Sequence, residues 1–407
     1  MNGTSENTKQ RFIAEDLLAD RMKNTTKSFI REILKVAISP DIISFAGGLP
    51  NRELFPVEEL KESANKVFDL SGKEALQYSN SEGYLPLREF ISGYYAEKHG
   101  IHVLPDNILI TSGSQQGLDL LGKVLVNSHD QVIIEEPGYL GAIQALSLYN
   151  PKFITVTLNN DGMDSDQLMS VTEDENPKLA YVVPEFQNPS GIRYTSEKRE
   201  EIAEIVKDKA LMIIEDNPYI DLCFNGSPSD SFFHYLPDQT VLLGTFSKTI
   251  VPGFRIGWIA ASDHLMEKLI IAKQAADLHT NVFSQMVLYR YLTDFDNDMH
   301  IRKINKMYGQ QCQAMVRAIQ KYFPPEIEFT QPEGGMFLWV TLPGNLSSLD
   351  LFHSALKRKV AFVPGNPFYI DNRECYSTFR LNFSCSGADT IEKGIAKIGD
   401  AIAEISK

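Results

Sequence analysis

The sequence predicts an α/β protein built on a mostly parallel sheet, and three observations carry that prediction. From about residue 107 to 260, short apolar runs alternate with segments of helical length or with polar loops, the pattern of strands laid side by side by crossover connections. After about residue 290 the texture changes to one long amphipathic stretch, three further strand-like runs and a closing helix, which reads as a smaller α+β unit. The composition, 407 residues with 43% hydrophobic and 23% charged, is that of a globular chain long enough for a large core plus a second domain.

Taken in order, the elements begin with a helix over SFIREILKVAI, stopped near Pro40 and followed by the turn-rich AGGLPNRELFP; Pro and Gly punctuate there because neither continues a helix. This N-terminal segment is expected to pack on the smaller unit or to cover a cleft. The runs ILIT, VIIEE, FITVTL, LAYVVP, LMIIED and VLLGTF then read as strands buried on both faces, each bounded by turn signals. HIRKINKMYGQQCQAMVRAIQKYF is the amphipathic helix, EIEFT, MFLWVTL and FRLNF are strand candidates, and a helix from Asp389 to near Ser406 closes the chain.

Charge and cysteine content exclude several classes of function. A net charge of −14 argues against a general grip on nucleic-acid phosphates, which needs a clustered basic surface. Cys223, Cys312, Cys375 and Cys385 show no CxxC spacing and no zinc-type histidine pattern, so neither a disulfide framework nor a metal site is expected, and a reducing cytoplasm fits. The start MNGTSENTKQRFIAEDLL has no basic-then-apolar signal character, and no run of about 18 apolar residues follows, so no membrane insertion is expected.

In a parallel sheet, ligands collect beyond the carboxyl ends of the strands, and the residues that follow each run are chemically distinctive. GTFSKTIVPGFRIGW places Lys248 just past VLLGTF, between small and hydroxyl residues and ahead of Arg255. A lysine held inside a fold loses its charge readily, and the neutral amine forms Schiff bases with carbonyls. TSGSQQG follows ILIT and opens a helix, so Gly113, Ser114 and Gln115 stand at a helix N-terminus whose free N–H groups suit a phosphate; a plain serine N-cap is the alternative. Asp216 ends LMIIED and Asn188 closes the run into PEFQNPSG, where each also has a simple turn explanation. Tyr139 follows VIIEE, and Tyr219 follows Asp216 in EDNPY. A basic nucleophile, an acid, a phosphate cradle, two phenols and an amide thus gather at strand ends.

The ordered set FAGGLP, YSNSEGYLPLRE, TSGSQQGLDL, EEPGY, PEFQNPSG, EDNPY, SKTIVPGFRIGW, EGGMF, VPGNPFY and RLNFS resembles the fold type I pyridoxal-phosphate enzymes, in their class I/II aminotransferase branch. The resemblance implies a large domain over 46–290, with a mostly parallel seven-stranded sheet between helices, and a small domain from 1–45 and 291–407. It implies that Lys248 carries the cofactor as a Schiff base and later moves the substrate proton, and that Asp216 pairs with the pyridine nitrogen. Tyr219 and Asn188 would bond the phenolic oxygen and Tyr139 would stack on the ring. Gly113, Ser114, Gln115, Ser247 and Arg255 would hold the phosphate, joined by Tyr78 from a partner subunit in a homodimer. Arg380, in FRLNFS, would bind the substrate carboxylate as a bidentate pair, beside the bare backbone of Gly48 and beside Asn188.

Within the family the motifs look closest to the group containing 2-aminoadipate, kynurenine and aromatic or branched-chain aminotransferases. The implied activity is ping-pong transfer of an amino group from such an L-amino acid to a 2-oxo acid, with 2-oxoglutarate the expected acceptor. Other readings are a fold type I C–S or C–C lyase and a non-catalytic, cofactor-dependent effector-binding protein. Met22, Lys23 and Asn24 lie where relatives place residues that select the side chain, without an alignable arginine, which leaves specificity for an acidic donor in doubt.

Overall fold

The computed structural model describes residues 18–23, 39, 41–226, 230–344, 346–370 and 376–406. The helix expected over SFIREILKVAI, and Asn24, lie outside the described residues. Along the chain the strands are β1 (Ile43–Ser44), β2 (Ile108–Thr111), β3 (Gln131–Glu136), β4 (Lys152–Asn159), β5 (Gly162–Met163), β6 (Leu179–Val182) and β7 (Met212–Asp216). They continue with β8 (Thr240–Thr245), β9 (Gly257–Ala260), β10 (Glu328–Phe329), β11 (Phe337–Thr341), β12 (Val360–Ala361), β13 (Val363–Pro364) and β14 (Thr378–Asn382).

The large sheet has the order β2-β9-β8-β7-β6-β3-β4-β5. Its pairs β3–β4, β3–β6, β6–β7 and β7–β8 are parallel, whereas β9 runs against both β2 and β8. The seven expected strands are joined by an eighth, the two-residue β5, which folds back on β4. Because β9 alone reverses between β2 and β8, the carboxyl ends of β2, β3, β6, β7 and β8 all reach the same edge.

Alternation along each strand sends side chains to two faces, and both faces are covered. Val132 and Ile134 of β3 join Tyr181 and Ile214 in one apolar cluster, while Ile133 joins Ala180, Val182 and Ile213 in another. The first face is covered by the helix Ser114–Leu125, which presents Leu118 and Leu121 to Leu243 and Ile259. The second is covered by Leu168, Ile202 and Val206 from the helices Ser165–Asp174 and Ser196–Val206. Each fully buried Leu or Ile contributes about 1.5–3 kcal/mol, so continuous apolar runs are what a doubly covered strand requires.

The second sheet is antiparallel, in the order β10-β11-β14-β13, and β1 pairs in parallel with β12. The amphipathic helix spans Asn297–Tyr322, and the closing helix Ala388–Ile405 buries Ile391, Ile395, Ile398 and Ile402, spaced to keep one stripe inward. Among the described residues no helix is long and apolar enough to cross a membrane.

A buried ion pair fixes the segment between β6 and Asn188. Arg199, on the helix Ser196–Val206, is wholly buried; it donates to Glu185 and to the Pro184 and Asp230 carbonyls, while Arg193 pairs with the other Glu185 oxygen at 3.0 Å. Removing one partner of such a pair leaves an uncompensated charge in a dry interior. Glu185→Ala is therefore expected to lower unfolding stability by about 3–5 kcal/mol, measured as a fall in the denaturant midpoint; a change within experimental scatter would mean the pair is dispensable.

Candidate active site

Asp216 is the last residue of β7 and is 2% exposed. Its Oδ2 accepts the Tyr181 hydroxyl at 2.7 Å, while Oδ1 is buried with no hydrogen-bond partner. Burial pushes the carboxyl up to about 7, against the pull of the Tyr181 hydrogen bond and the nearby Lys248 charge.

Lys248 follows β8 by three residues and is half-buried, its Nζ donating to the Gly48 carbonyl at 3.1 Å. Burial lowers its amine to about 8; the Arg380 and Arg255 charges push the same way, and Asp216 opposes them. A larger neutral fraction than an ordinary lysine offers is thereby available near neutral pH, as a nucleophile needs.

Ser114 opens its helix with no side chain capping it, so the expected alternative of a serine N-cap does not hold: Gly113, at φ 79°, occupies the cap position. That backbone suits glycine, and a Cβ at Gly113 would overlap the Arg255 guanidinium. Arg255 is exposed and itself left-handed at φ 55°, a conformation uncommon for any residue that carries a Cβ. Its Nη1 donates to Ser247 Oγ at 3.4 Å and to the Pro252 carbonyl, and its Nη2 to the Ser112 carbonyl. Uncapped N–H groups, a hydroxyl and a guanidinium make an anion cradle. Gln115 is exposed and donates to the Gly141 carbonyl, tying the cradle to the helix after Tyr139.

Arg380, on β14, is 4% exposed and lies between the Phe337 and Phe368 rings, 4.3 and 5.2 Å from their centroids. It donates to Asn188 Oδ1 at 2.7 Å and to the Ala46 carbonyl at 2.8 Å, and its Nε is buried without a partner. Among the described residues no carboxylate pairs with it, and burial lowers it to about 10. Asn188 does not close a strand as expected: β6 ends at Val182, and Asn188 sits in the buried segment beyond, where Pro184 and Pro189 deny ladder donors.

One cavity of about 120 Å³ is lined by Ser114, Gln115, Tyr139, Asn188, Asp216, Tyr219, Ser247, Lys248 and Arg255, together with Tyr181, Val183, Pro218 and Thr245. Tyr139 is pushed up to about 12 by burial, and Tyr219 is raised further by the same cause. Gly48 reaches this group through the Lys248 hydrogen bond. Tyr78 does not line the cavity of its own chain; it is 79% exposed, its ring edge against His279. Met22 is exposed. Tyr181 and Thr245 were not singled out from sequence, because a tyrosine inside a strand and a threonine ending one carry no signal of their own. Thr245 Oγ1 donates to Ser247 Oγ at 2.9 Å and accepts the Ser247 N–H, shaping the turn into Lys248.

The donor set fits pyridoxal phosphate. A depressed amine suits its aldehyde, an unpartnered buried carboxylate oxygen suits its ring nitrogen, and an uncapped helix end with a guanidinium suits its phosphate. If the amine is set as described, labelling of Lys248 in the apoprotein by trinitrobenzenesulfonate, followed by peptide mass spectrometry, will rise through about pH 8. The direction follows from the amine reacting only when deprotonated; a rise confined to the range of exposed lysines would refute the depression.

Residues 40–398 match the family model described as aminotransferase class I and II. The chain is 38% identical over 399 residues to aromatic-amino-acid aminotransferase 1 of Thermococcus litoralis, covering 97% of this chain and 95% of that protein. It is 40% identical over 379 residues to the 2-aminoadipate transaminase of Thermus thermophilus, covering 92% and 94%. The kynurenine aminotransferase of Pyrococcus horikoshii, solved in complex with PMP, superimposes with a TM-score of 0.92 at 38% identity, covering 97% of this chain and 98% of that one.

Proposed function

Because the chain belongs to the class I and II aminotransferase family and is a pyridoxal-phosphate-dependent enzyme of amino-group transfer, we propose that its donors are aromatic, branched-chain or 2-aminoadipate-like L-amino acids. The names of its relatives support the aromatic and 2-aminoadipate part of that range, and 2-oxoglutarate is the proposed acceptor. The observation that carries the reading is a lysine amine lowered to about 8 that shares one cavity with a buried, half-unpartnered carboxylate and an uncapped helix end.

When bound, pyridoxal phosphate supplies an aldehyde that accepts the amino group and a conjugated ring that takes up the electron pair left when the substrate α-proton departs. Lys248 Nζ, its amine lowered by burial, would be the group to hold that aldehyde and, when free, the base that would move the α-proton. Asp216 Oδ1, buried without a partner, would hold the proton on the ring nitrogen, which a neutral side chain would not retain. Tyr219 and Asn188, which line the same cavity, would bond the phenolic oxygen, and Tyr139 would stack on the ring. Ser114, Gln115, Ser247, Arg255 and the Gly113 backbone would hold the phosphate. Arg380 binds the substrate carboxylate, with its remaining donors oriented by Asn188 and the Ala46 carbonyl, and Gly48 leaves room for the substrate.

We assign 46–290 to a large cofactor domain and 1–45 with 291–407 to a small one, supported by the pairing of β1 with β12. A homodimer is also part of the proposal: Phe68, Leu70, Leu76 and Tyr78 are exposed on one stretch of chain, and Tyr78 is free to reach a partner's phosphate. The cytoplasm is the proposed compartment; Cys312 and Cys385 form no disulfide.

Purified protein with pyridoxal phosphate and 2-oxoglutarate is expected to form glutamate from aromatic, branched-chain or 2-aminoadipate donors, and Lys248→Ala to lose both turnover and the borohydride-reducible absorbance. No glutamate from any donor in a broad panel would sink the activity assignment. For the shared site, sedimentation is expected to give a dimer, and Tyr78→Phe to weaken cofactor binding; a fully active monomer would exclude it.

A further inference from the structure

Tyr181 occupies the middle of β6 and is wholly buried, yet it reaches the cavity and donates to Asp216 Oδ2 at 2.7 Å. The carboxylate is divided: one oxygen is engaged by a phenol, and the other is buried with no partner. Resting on the function proposed above, we propose that Tyr181 is a positioning residue, whose hydroxyl orients the Asp216 carboxylate and weakens it as a base so that a proton shared with the pyridine nitrogen stays on nitrogen.

The physical reason is an asymmetry between the two forms of the acid. A hydroxyl donor stabilises the carboxylate and gives nothing to the protonated acid, and in a dry site that preference is amplified. The other groups facing Asp216 are few. Lys248 supplies positive charge from beyond β8, Tyr139, Tyr219 and, from the far face, Tyr95 contribute buried phenols, and Glu135 on β3 is a second buried carboxylate. Glu135 is held by the Val183 N–H, the Gln187 amide and the Tyr194 hydroxyl, and its charge repels that of Asp216. The Tyr181 hydroxyl is the one hydrogen-bond donor the described residues offer to the Asp216 carboxylate.

The test uses holoprotein rebuilt with ring-¹⁵N pyridoxal phosphate, comparing wild type, Tyr181→Phe and Tyr181→Gln near neutral pH. In wild type the ring nitrogen should resonate as pyridinium. In Tyr181→Phe it should move toward unprotonated pyridine, with cofactor dissociation rising about tenfold; Tyr181→Gln, which keeps a donor, should stay near wild type. A Tyr181→Phe ring nitrogen that still resonates as pyridinium, with a dissociation constant within about twofold of wild type, would overturn the inference. If Tyr181→Phe loses its folded circular-dichroism spectrum, Tyr181→Met carries the same comparison with the same criteria. Wild-type protein that takes up no pyridoxal phosphate would instead refute the function proposed above, which separates the two failures.

Discussion

Parallel pairing of β3, β6, β7 and β8 is the constraint on which the site depends. Parallel strands all end at the same edge, so the chain passes that edge once per crossover and can leave a functional residue there each time. Tyr139, Asn188, Asp216 and Lys248 are the residues left by four such passages, and β2, aligned with them through the reversed β9, adds the helix end at Ser114. The sheet is rigid because both faces are covered, and that rigidity holds five separate loops in register without a direct bond between most of them.

The cavity works by balancing desolvation against charge. Withdrawal from water drives Lys248 toward neutrality and Asp216 toward protonation, opposite in chemical effect but identical in cause. Each group partly corrects the other across the cavity, and the correction is incomplete. Lys248 remains a usable nucleophile, while Asp216 remains sensitive to whatever donor or cation is placed beside it. Arg380 is kept positive against the same burial by two neutral acceptors and two aromatic faces, a solution that neutralises nothing and leaves the charge available.

The strand runs and the residues after them were readable because doubly buried strands are apolar throughout and their ends are marked by Gly, Pro, Asn and Asp. Lys248, Asp216 and the helix at Ser114 stand out for that reason. What sequence hid was of two kinds. Tyr181 and Thr245 lie inside strand patterns, where their polar atoms leave no trace in periodicity, and Asn188 was placed at a strand end that lies six residues earlier, at Val182. The cap at Gly113 depends on how closely Arg255 approaches, a fact of three-dimensional packing that spacing does not encode. The β5 turn-back is two residues long, shorter than any pattern can register.

The commitment of Asn188 Oδ1 to Arg380 has a consequence for the chemical lifetime of the protein. With its oxygen accepting from the guanidinium, the amide nitrogen is the end left to donate, so hydrolysis of that amide to a carboxylate would replace a donor by a negative charge. Spontaneous hydrolysis of asparagine proceeds through attack by the next residue's backbone nitrogen, and here that residue is Pro189, whose ring nitrogen carries no hydrogen to lose. The turn that carries the amide to the cavity therefore also closes the ordinary route by which an asparagine ages.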